Sequence, residues 1–321
     1  MTEALTRSAH AAAREGGAVA PLPERGVLAA TGPHRQKLLH GVLSNDIEGR
    51  TPGQGSLAAL MDVKGHLIAL IRALVTPEAV LLEMPAERLD VVERVLLHYR
   101  VAAPVRFARP PTAVLAVLGP KGRDVLAGAG CTVGELASQG HETGRIAGHD
   151  VRVQRAGDLP AGGFVVHVAP EAAEAVVRTL RSAGAEPLPR EILDALRIED
   201  GRPWYGPDVT EDNLLHETGL VSEYHSPTKG CYVGQEVVAR LEARGGHVNK
   251  RLRGLRLHAT ASAGTAVLAE GREVGRVTTA GASPGLGPIA MGYVHRSHYE
   301  PGTIVEVAGA PATVVALPMD R

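Results

Sequence analysis

Aromatic residues are scarce in this chain: two Phe, one Trp and six Tyr, 3% of 321 residues. A nucleic-acid site that stacks bases on interleaved rings has little to build with here. Cysteine is scarcer. Cys131 and Cys231 are the only two, and their separation gives neither a disulfide framework nor a CxxC metal pattern, so a reducing, cytoplasmic setting is expected. No stretch approaches the roughly twenty apolar residues of a membrane span. The opening MTEALTRSAHAAAREGGAVA carries early acids and no long apolar run, so it does not resemble a signal peptide. The net charge of −1 supplies no global attraction to nucleic acid or anionic lipid.

What is present is an ordinary globular composition, 44% hydrophobic and 21% charged. The length exceeds that of one ordinary core, which predicts two or three subdomains. Residues 1–20, rich in Ala and Gly, are expected to form a loose tail. Beyond them the chain repeats itself. VLAATGPHRQKLLHG (27–41) is echoed by VLAVLGPKGRDVLAG (114–128), each a strand, a Gly-Pro turn and a short helix. VLLEMPAERLDVVERVLLHY (80–99) is echoed by FVVHVAPEAAEAVVRTLRSAG (164–184), each a strand, a break containing Pro and a helix. Two echoes in the same order predict a duplicated α+β unit spanning 27–99 and 114–184, with helices on antiparallel sheets and a cavity between the copies.

Residues 190–243 mix helix and loop. From residue 247 to 321 the pattern becomes short β runs broken by Gly and Pro (RLRGLRLH, REVGRVTTAG, IAMGYVH, GTIVEVAG, ATVVALP), which predicts a small closed β domain. In the first run Leu252 and Leu255 fall on opposite faces of a regular strand, and a bulge at Gly254 would reconcile them.

Three features could carry chemistry. In REILDALRIEDG, Ile192 and Leu196 mark the inward face of a helix, and Glu199 follows on that face. A buried carboxylate needs charged or multiple donors. Arg197 or Arg202 could supply them as a structural ion pair, or a planar ligand with an N–H/NH₂ edge, such as a pterin, could do so. Cys231 lies just before the predicted helix VGQEVVARLEAR and beside Lys229, where the helix N-terminus and the cation would favour a thiolate. Cys131, in GAGCTVGEL, has no nearby charge and fits a buried structural thiol. Third, Lys229, Arg240, Arg244, Lys250, Arg251, Arg253 and Arg256 crowd one stretch. They could hold a polyanion such as RNA or a polyglutamate tail, or form a solvated face. Other signals are weak. GASPGLGP (281–288) is a turn, not a dinucleotide loop. His295 and His298 lack a carboxylate partner, so no metal site is expected, and no G-x-S-x-G elbow occurs.

KGCYVGQE (229–236) resembles the K-G-C-Y-x-G-Q-E signature of the YgfZ family of folate-binding proteins, relatives of the glycine-cleavage T-protein and of mitochondrial iron–sulfur assembly factors. The resemblance extends to LSNDI (43–47), DVKG (62–65), LRIEDGRPWYGPDVTEDNLLHETGL (196–220) and VGRVTTAGASPGLGPIAMGYV (274–294). It implies a duplicated α+β folate-binding region over 21–246 around a central hole, and a C-terminal β-barrel over 247–321. It also implies tetrahydrofolate or a derivative as cofactor, Glu199 as the acid that grips the pterin, and Gln235 lining the same cavity. Gln235 stands where T-proteins have an arginine, which removes a fixed positive charge. The aspartate pair that serves aminomethyl transfer in T-proteins falls on Ile68 and Ala69, which leaves that chemistry without its acid–base group. Asp46 in LSNDI is a carboxylate better explained by a turn.

The expectation is a tetrahydrofolate-binding accessory protein for iron–sulfur cluster assembly or repair, acting through its clients on tRNA modification. Cys231 would supply the reactive thiolate and Lys229 would tune it. Clusters take about four thiolates, so one cysteine would have to share a cluster with a client, a carrier or glutathione. The alternative is a folate-dependent aminomethyl- or methyltransferase. A third reading is direct tRNA binding through Arg251 and Arg253.

Overall fold

The computed structural model describes residues 3–101 and 103–320. The chain opens with α1 (Glu3–Glu15) and β1 (Ala18–Pro21), so the segment expected to be a loose tail is a helix and a strand. Alanine is the strongest helix former, and α1 buries a narrow face consisting of Ala9 and Ala13. Such small side chains give little apolar periodicity to detect, yet they let the helix approach closely.

The first repeat follows as β2 (Arg25–Thr31), α2 (Arg35–Val42), β3 (Gly55–Met61), β4 (Leu67–Val75), β5 (Ala79–Pro85), α3 (Leu89–Arg100) and β6 (Arg106–Ala108). The second comprises β7 (Ala113–Leu118), α4 (Gly122–Gly128), β8 (His141–Ile146), β9 (His149–Arg155), β10 (Gly163–Val168), α5 (Ala173–Ser182) and β11 (Glu186–Pro187). One sheet runs β3-β4-β5-β2-β6 and the other β8-β9-β10-β7-β1-β11. Their first four strands correspond one to one. Val27 lies opposite Glu83 in the first sheet, and its echo Val114 lies opposite His167 in the second. The duplicated α+β architecture expected from the sequence is present, with one exchange: β1 precedes the first repeat but pairs antiparallel with β7 of the second.

Each sheet buries its outer face under its own helices. Leu39, Val42, Val92 and Leu96 of α2 and α3 cover the first sheet; Val125, Leu126, Val176 and Leu180 of α4 and α5 cover the second. Each such side chain contributes on the order of 2 kcal/mol of burial free energy. The inner face of the second sheet packs on α1 and on α6 (Arg190–Glu199) through Ala13, Ile192 and Leu196. The inner face of the first packs on the segment holding α7 (Leu215–Thr218), α8 (Val221–Tyr224) and α9 (Gln235–Ala243). The two inner faces meet at the centre of the molecule.

The C-terminal strands β12 (Lys250–Leu257), β13 (Ala266–Ala269), β14 (Arg272–Ser283), β15 (Gly287–His295), β16 (Ile304–Val307) and β17 (Ala310–Val315) close into a six-stranded barrel. The bulge expected at Gly254 is absent: pairing with β15 runs without a shift from Lys250 to Arg256. Leu255 points into the barrel, while Leu252 points outward and packs with Ile289, Met291, Met319 and Ile198 of α6. Both faces of this strand are buried, so both leucines are satisfied by a regular pleat. Gly254 has a different purpose, since a Cβ there would lie 2.7 Å from Met319 Cε and 2.8 Å from Val315 Cγ2.

Candidate functional site

Where the two inner sheet faces meet lies a narrow slot with a cavity volume of about 30 Å³. Leu70 and Arg72 of β4, Leu22, Arg25 of β2 and Asp158 form one side; Arg202, Trp204, Tyr205, Leu220 and Tyr224 close the other. Behind it lies a buried charge cluster. Glu83, 1% exposed, accepts hydrogen bonds from Arg25 Nε at 2.7 Å and Arg72 NH1 at 2.7 Å, and pairs with His167 Nε2 at 3.0 Å. Arg72 continues to Asp158 through Nε at 2.9 Å and NH2 at 2.7 Å, and Gln139 donates to the other Asp158 oxygen at 3.1 Å. Burial alone would raise the Glu83 carboxyl, but Arg72, Arg25 and His167 hold it well below the usual carboxylate range. Asp158 is likewise pushed up by burial and held down, on balance, by Arg72. Charges this deep persist only because each has a partner.

The side of β4 that faces the slot is set by a β-bulge. Pairing with β3 shifts between Leu60 and Met61, opposite Ala69 and Leu67, leaving Ile68 as the extra residue. Ile68 and Ala69 therefore both pack toward the helices, and Leu70 faces the slot. No side chain of β4 brings an acid there.

Glu199 is 2% exposed, as its inward placement predicted, but its partners are neither Arg197 nor Arg202. His10 Nε2 lies 2.9 Å from Oε1, and Arg14 NH2 donates to Oε2 at 2.5 Å, both from α1. Burial raises this carboxyl, yet His10, Ser283 and Arg14 together bring it down to about 2. Arg197 is bound instead to Asp194 and Asp208, and Arg202 to Glu223. Glu199 is not part of the slot wall, and neither is Gln235, the half-buried first residue of α9.

The octapeptide uses its larger side chains to fasten itself down. Lys229 Nζ donates to the carbonyls of His40, Leu43 and Asn45, at 2.5 Å for Leu43, and so caps the C-terminal end of α2. Burial pushes this amine down to about 8. Its three hydrogen bonds commit it to the end of α2. Tyr232 is buried under the Lys229 ammonium, 4.9 Å from its ring centroid. Gly234, at φ +82°, lies so close to the β3–β4 turn that a Cβ would come within 2.7 Å of the Asp62 carbonyl. Cys231 is left exposed and free; Cys131 is buried in the second repeat, where burial pushes its thiol up.

The other candidates resolve into local structure. Arg240 pairs with Glu236, Arg251 and Arg253 stack on Tyr299, and Arg256 bonds the Asp320 carbonyl. These four cations of the basic stretch thus have partners within the chain. Asp46 accepts the Gly49 amide within a turn, and Ser283 caps the 281–288 turn. His295 and His298 hydrogen-bond Ser297, and among the described residues no group of three or more His, Cys, Asp or Glu side chains could hold a metal ion. No described helix is long and apolar enough to cross a membrane.

Residues 2–222 match the GCVT N-terminal domain, and residues 250–320 match the glycine cleavage T-protein C-terminal barrel domain. The chain belongs to the glycine cleavage T-protein family. Among T-protein relatives, the aminomethyltransferase of Streptomyces coelicolor is 30% identical over 329 residues, 97% of this chain and 88% of that protein. A putative chloroplastic transferase of Arabidopsis thaliana is 27% identical over 296 residues, 90% of this chain and 68% of its own length. The glycine cleavage system aminomethyltransferase T of Bartonella henselae shares the T-protein fold, with a TM-score of 0.85 at 23% identity, over 98% of this chain and 89% of that one.

Several residues of this T-protein family cleft were missed from sequence, although a signal existed. Arg72 in LIALIRALV, Glu83 in VLLEMP and His167 in FVVHV each interrupt an apolar strand, and a charge inside such a run has to meet a partner. The repeat alignment even places Glu83 and His167 at equivalent positions, the pair that meets at the centre.

Proposed function

We propose that this T-protein family member binds tetrahydrofolate in the central slot and acts, through Cys231, as an accessory protein of the YgfZ kind in iron–sulfur cluster assembly or repair. The observation that carries this reading is the contrast between the slot and the signature loop. The slot's one acid, Asp158, is held on both oxygens by Arg72 and Gln139, and β4 offers Leu70 where a proton acceptor for aminomethyl transfer would be needed. The KGCYVGQE loop, by contrast, is anchored at Lys229, Tyr232 and Gly234 and leaves a thiol at the surface. A surface thiol on a fixed loop suits transient ligation shared with a client protein, a carrier or glutathione. Effects on tRNA modification would follow through clients.

The family supports the folate part of the reading, and the slot, about 30 Å³ in volume, would have to widen to admit the ligand between its walls. Trp204 and Tyr205 flank it, with Leu22, Leu70 and Leu220, and a few polar groups converge on it. Bound there, tetrahydrofolate would supply one-carbon carrier chemistry, while the chain's own residues would position it and exclude water. The test is equilibrium binding of tetrahydrofolate to the purified protein and to Leu70→Trp, which fills the slot. Loss of binding in the variant supports the site; unchanged binding moves it elsewhere. Separately, cluster delivery to an apo-client that is unchanged by Cys231→Ser would remove the thiol from the mechanism.

A second reading, aminomethyl transfer, is favoured by the 30% identity to the Streptomyces coelicolor aminomethyltransferase across nearly the whole chain. Asp158 would then have to serve as base. Turnover of a lipoyl-bound aminomethyl donor with tetrahydrofolate, abolished by Asp158→Asn, would establish it over the accessory role.

A further inference from the structure

A cavity of about 620 Å³ lies between the C-terminal barrel and residues 207–213, and none of its lining residues lines the central slot. Strand alternation builds its floor. Lys250 of β12 lies opposite His295 of β15, and Tyr293 lies opposite Leu252 and Arg276, so these side chains share the outer barrel face that Leu252 marks. Two pillars hold the 207–213 segment above that face. Thr278, the extra residue of a β-bulge in β14, and its neighbour Thr279 donate to Asp208 Oδ1 at 2.8 and 2.5 Å. Lys250 Nζ donates to the Asp212 carbonyl at 3.1 Å. The space between the pillars is of the size that holds a small organic molecule.

Most charges around this cavity are already matched. Asp208 is bound to Arg197, Glu273 to Arg276, and the neighbouring Glu217 to Lys250. Two groups are not matched. The Tyr293 hydroxyl is buried and meets no hydrogen-bond partner among the described residues. Burial, with Glu217 and Asp208 as further causes, pushes this phenol up, so it keeps its proton and lacks an acceptor for it. The exposed Asp212 carboxylate, also on the wall, has no hydrogen bond or ion pair among the described residues. Lys250 adjoins both groups: it bonds the Asp212 carbonyl and lies 5.2 Å from the Tyr293 ring centroid. A single small molecule can therefore span them. An anion there would face Asp208, Asp212 and Glu217 at once, and a cation would leave the phenol proton unmet. An uncharged ligand with an acceptor and a donor serves both, and Pro207, Ala263 and Val274 offer its body apolar contact.

We propose that this cavity binds a small uncharged ring compound bearing a carboxamide, its carbonyl accepting from the Tyr293 hydroxyl and its N–H donating to Asp212. A swing of the half-buried Lys250 above the ring admits the carbonyl to the hydroxyl. The site is independent of the folate reading. Tyr293→Phe tests it cleanly, because the hydroxyl it removes bonds no described protein group.

The experiment is an NMR titration of the full chain with benzamide and with its two charged isosteres, benzoate and benzamidine, following the backbone amides of β14 and β15. A compound of this size should bind with a Kd of roughly 1 mM, with shifts confined to the cavity lining, and benzamide should bind more tightly than either isostere. Tyr293→Phe should weaken benzamide by roughly three- to tenfold at an unchanged unfolding midpoint. Asp212→Ala should weaken it by a similar factor and should improve benzoate. Leu70→Trp, which fills the central slot, should change none of these affinities. Benzoate or benzamidine binding as tightly as benzamide would overturn the uncharged, two-ended ligand. Benzamide affinity unchanged in Tyr293→Phe, or a lowered midpoint in that variant, would overturn the role of the hydroxyl. Shifts centred elsewhere, sensitivity to Leu70→Trp, or no binding by any of the three compounds would overturn the site.

Discussion

The two repeats share a strand order and a register but differ at their centre. Glu83 and His167 occupy the same position of the duplicated unit, and Arg72 and Arg152 sit opposite them in their respective sheets. In the first repeat Arg72 turns to Glu83 and across to Asp158. In the second, Arg152 donates to His141 Nδ1 and is not bonded to His167. Burial, with Arg152 as a second cause, pushes His141 down to about 4, so it is neutral and can accept that bond. The ionic network is therefore centred on Arg72 and Glu83 of the first copy, joined by Asp158 and His167 from the second, while Arg152 of the second copy pairs with a neutral imidazole. Duplication supplies the scaffold, and divergence at matched positions supplies a cleft with polarity.

The largest effect should come from breaking that match on its charged side. Glu83→Leu leaves two guanidiniums around an emptied site and should cost about 3–5 kcal/mol. The same change at the equivalent position, His167→Leu, removes one donor from a carboxylate that keeps two others, and should cost about 1–2 kcal/mol. Denaturant midpoints of the two variants measure the asymmetry directly, and equal losses would mean that the repeats are energetically alike.

Glu199 extends the comparison to the link between α1 and α6. Its carboxyl falls from the ordinary 4.5 to about 2 in the folded chain. The sign is that of a depressed acid: its stabilisation is fully present above about pH 4.5 and disappears as pH falls through 2, on the order of 3 kcal/mol in all. Thermal melts between pH 6 and pH 2 should show that loss, and Glu199→Gln should flatten this part of the profile. The same variant, already weakened at neutral pH, should retain tetrahydrofolate binding, since its side chain holds α1 and is not on the slot wall.

A smaller effect is expected at the signature loop. Gly234→Ala adds a Cβ at φ +82° against the Asp62 carbonyl and should cost about 1–3 kcal/mol, read as a lower unfolding midpoint. The smallest concerns the two cysteines. A thiol reagent applied to the folded protein should modify Cys231 at once and Cys131 only on unfolding. Cys231→Ser should shift stability by less than about 0.5 kcal/mol.

The duplicated α+β unit and the barrel were visible in the sequence, because paired echoes and evenly spaced β runs are local patterns that survive into the fold. Cys131 and Glu199 were correctly placed as buried for the same reason, since helix and core periodicity need few neighbours. The partners were not visible. His10 and Arg14 lie about 185 residues or more from Glu199, in a segment whose alanines hid a helix. Gly254 suggested a bulge because one buried face was assumed, whereas the barrel strand has two. Lys229 stands beside the thiol in sequence, and its side chain reaches the end of a helix nearly two hundred residues away.

By itself, the sequence determined the architecture and the wider T-protein family, since both are written in patterns read over short spans. Only the tertiary structure decided which charges face one another, which acid stands on the slot wall and which thiol meets solvent. Those outcomes depend on how two sheets and an N-terminal helix close on a shared centre. The free energy of a buried charge is set by the partner that arrives there, and distance along the chain does not name that partner.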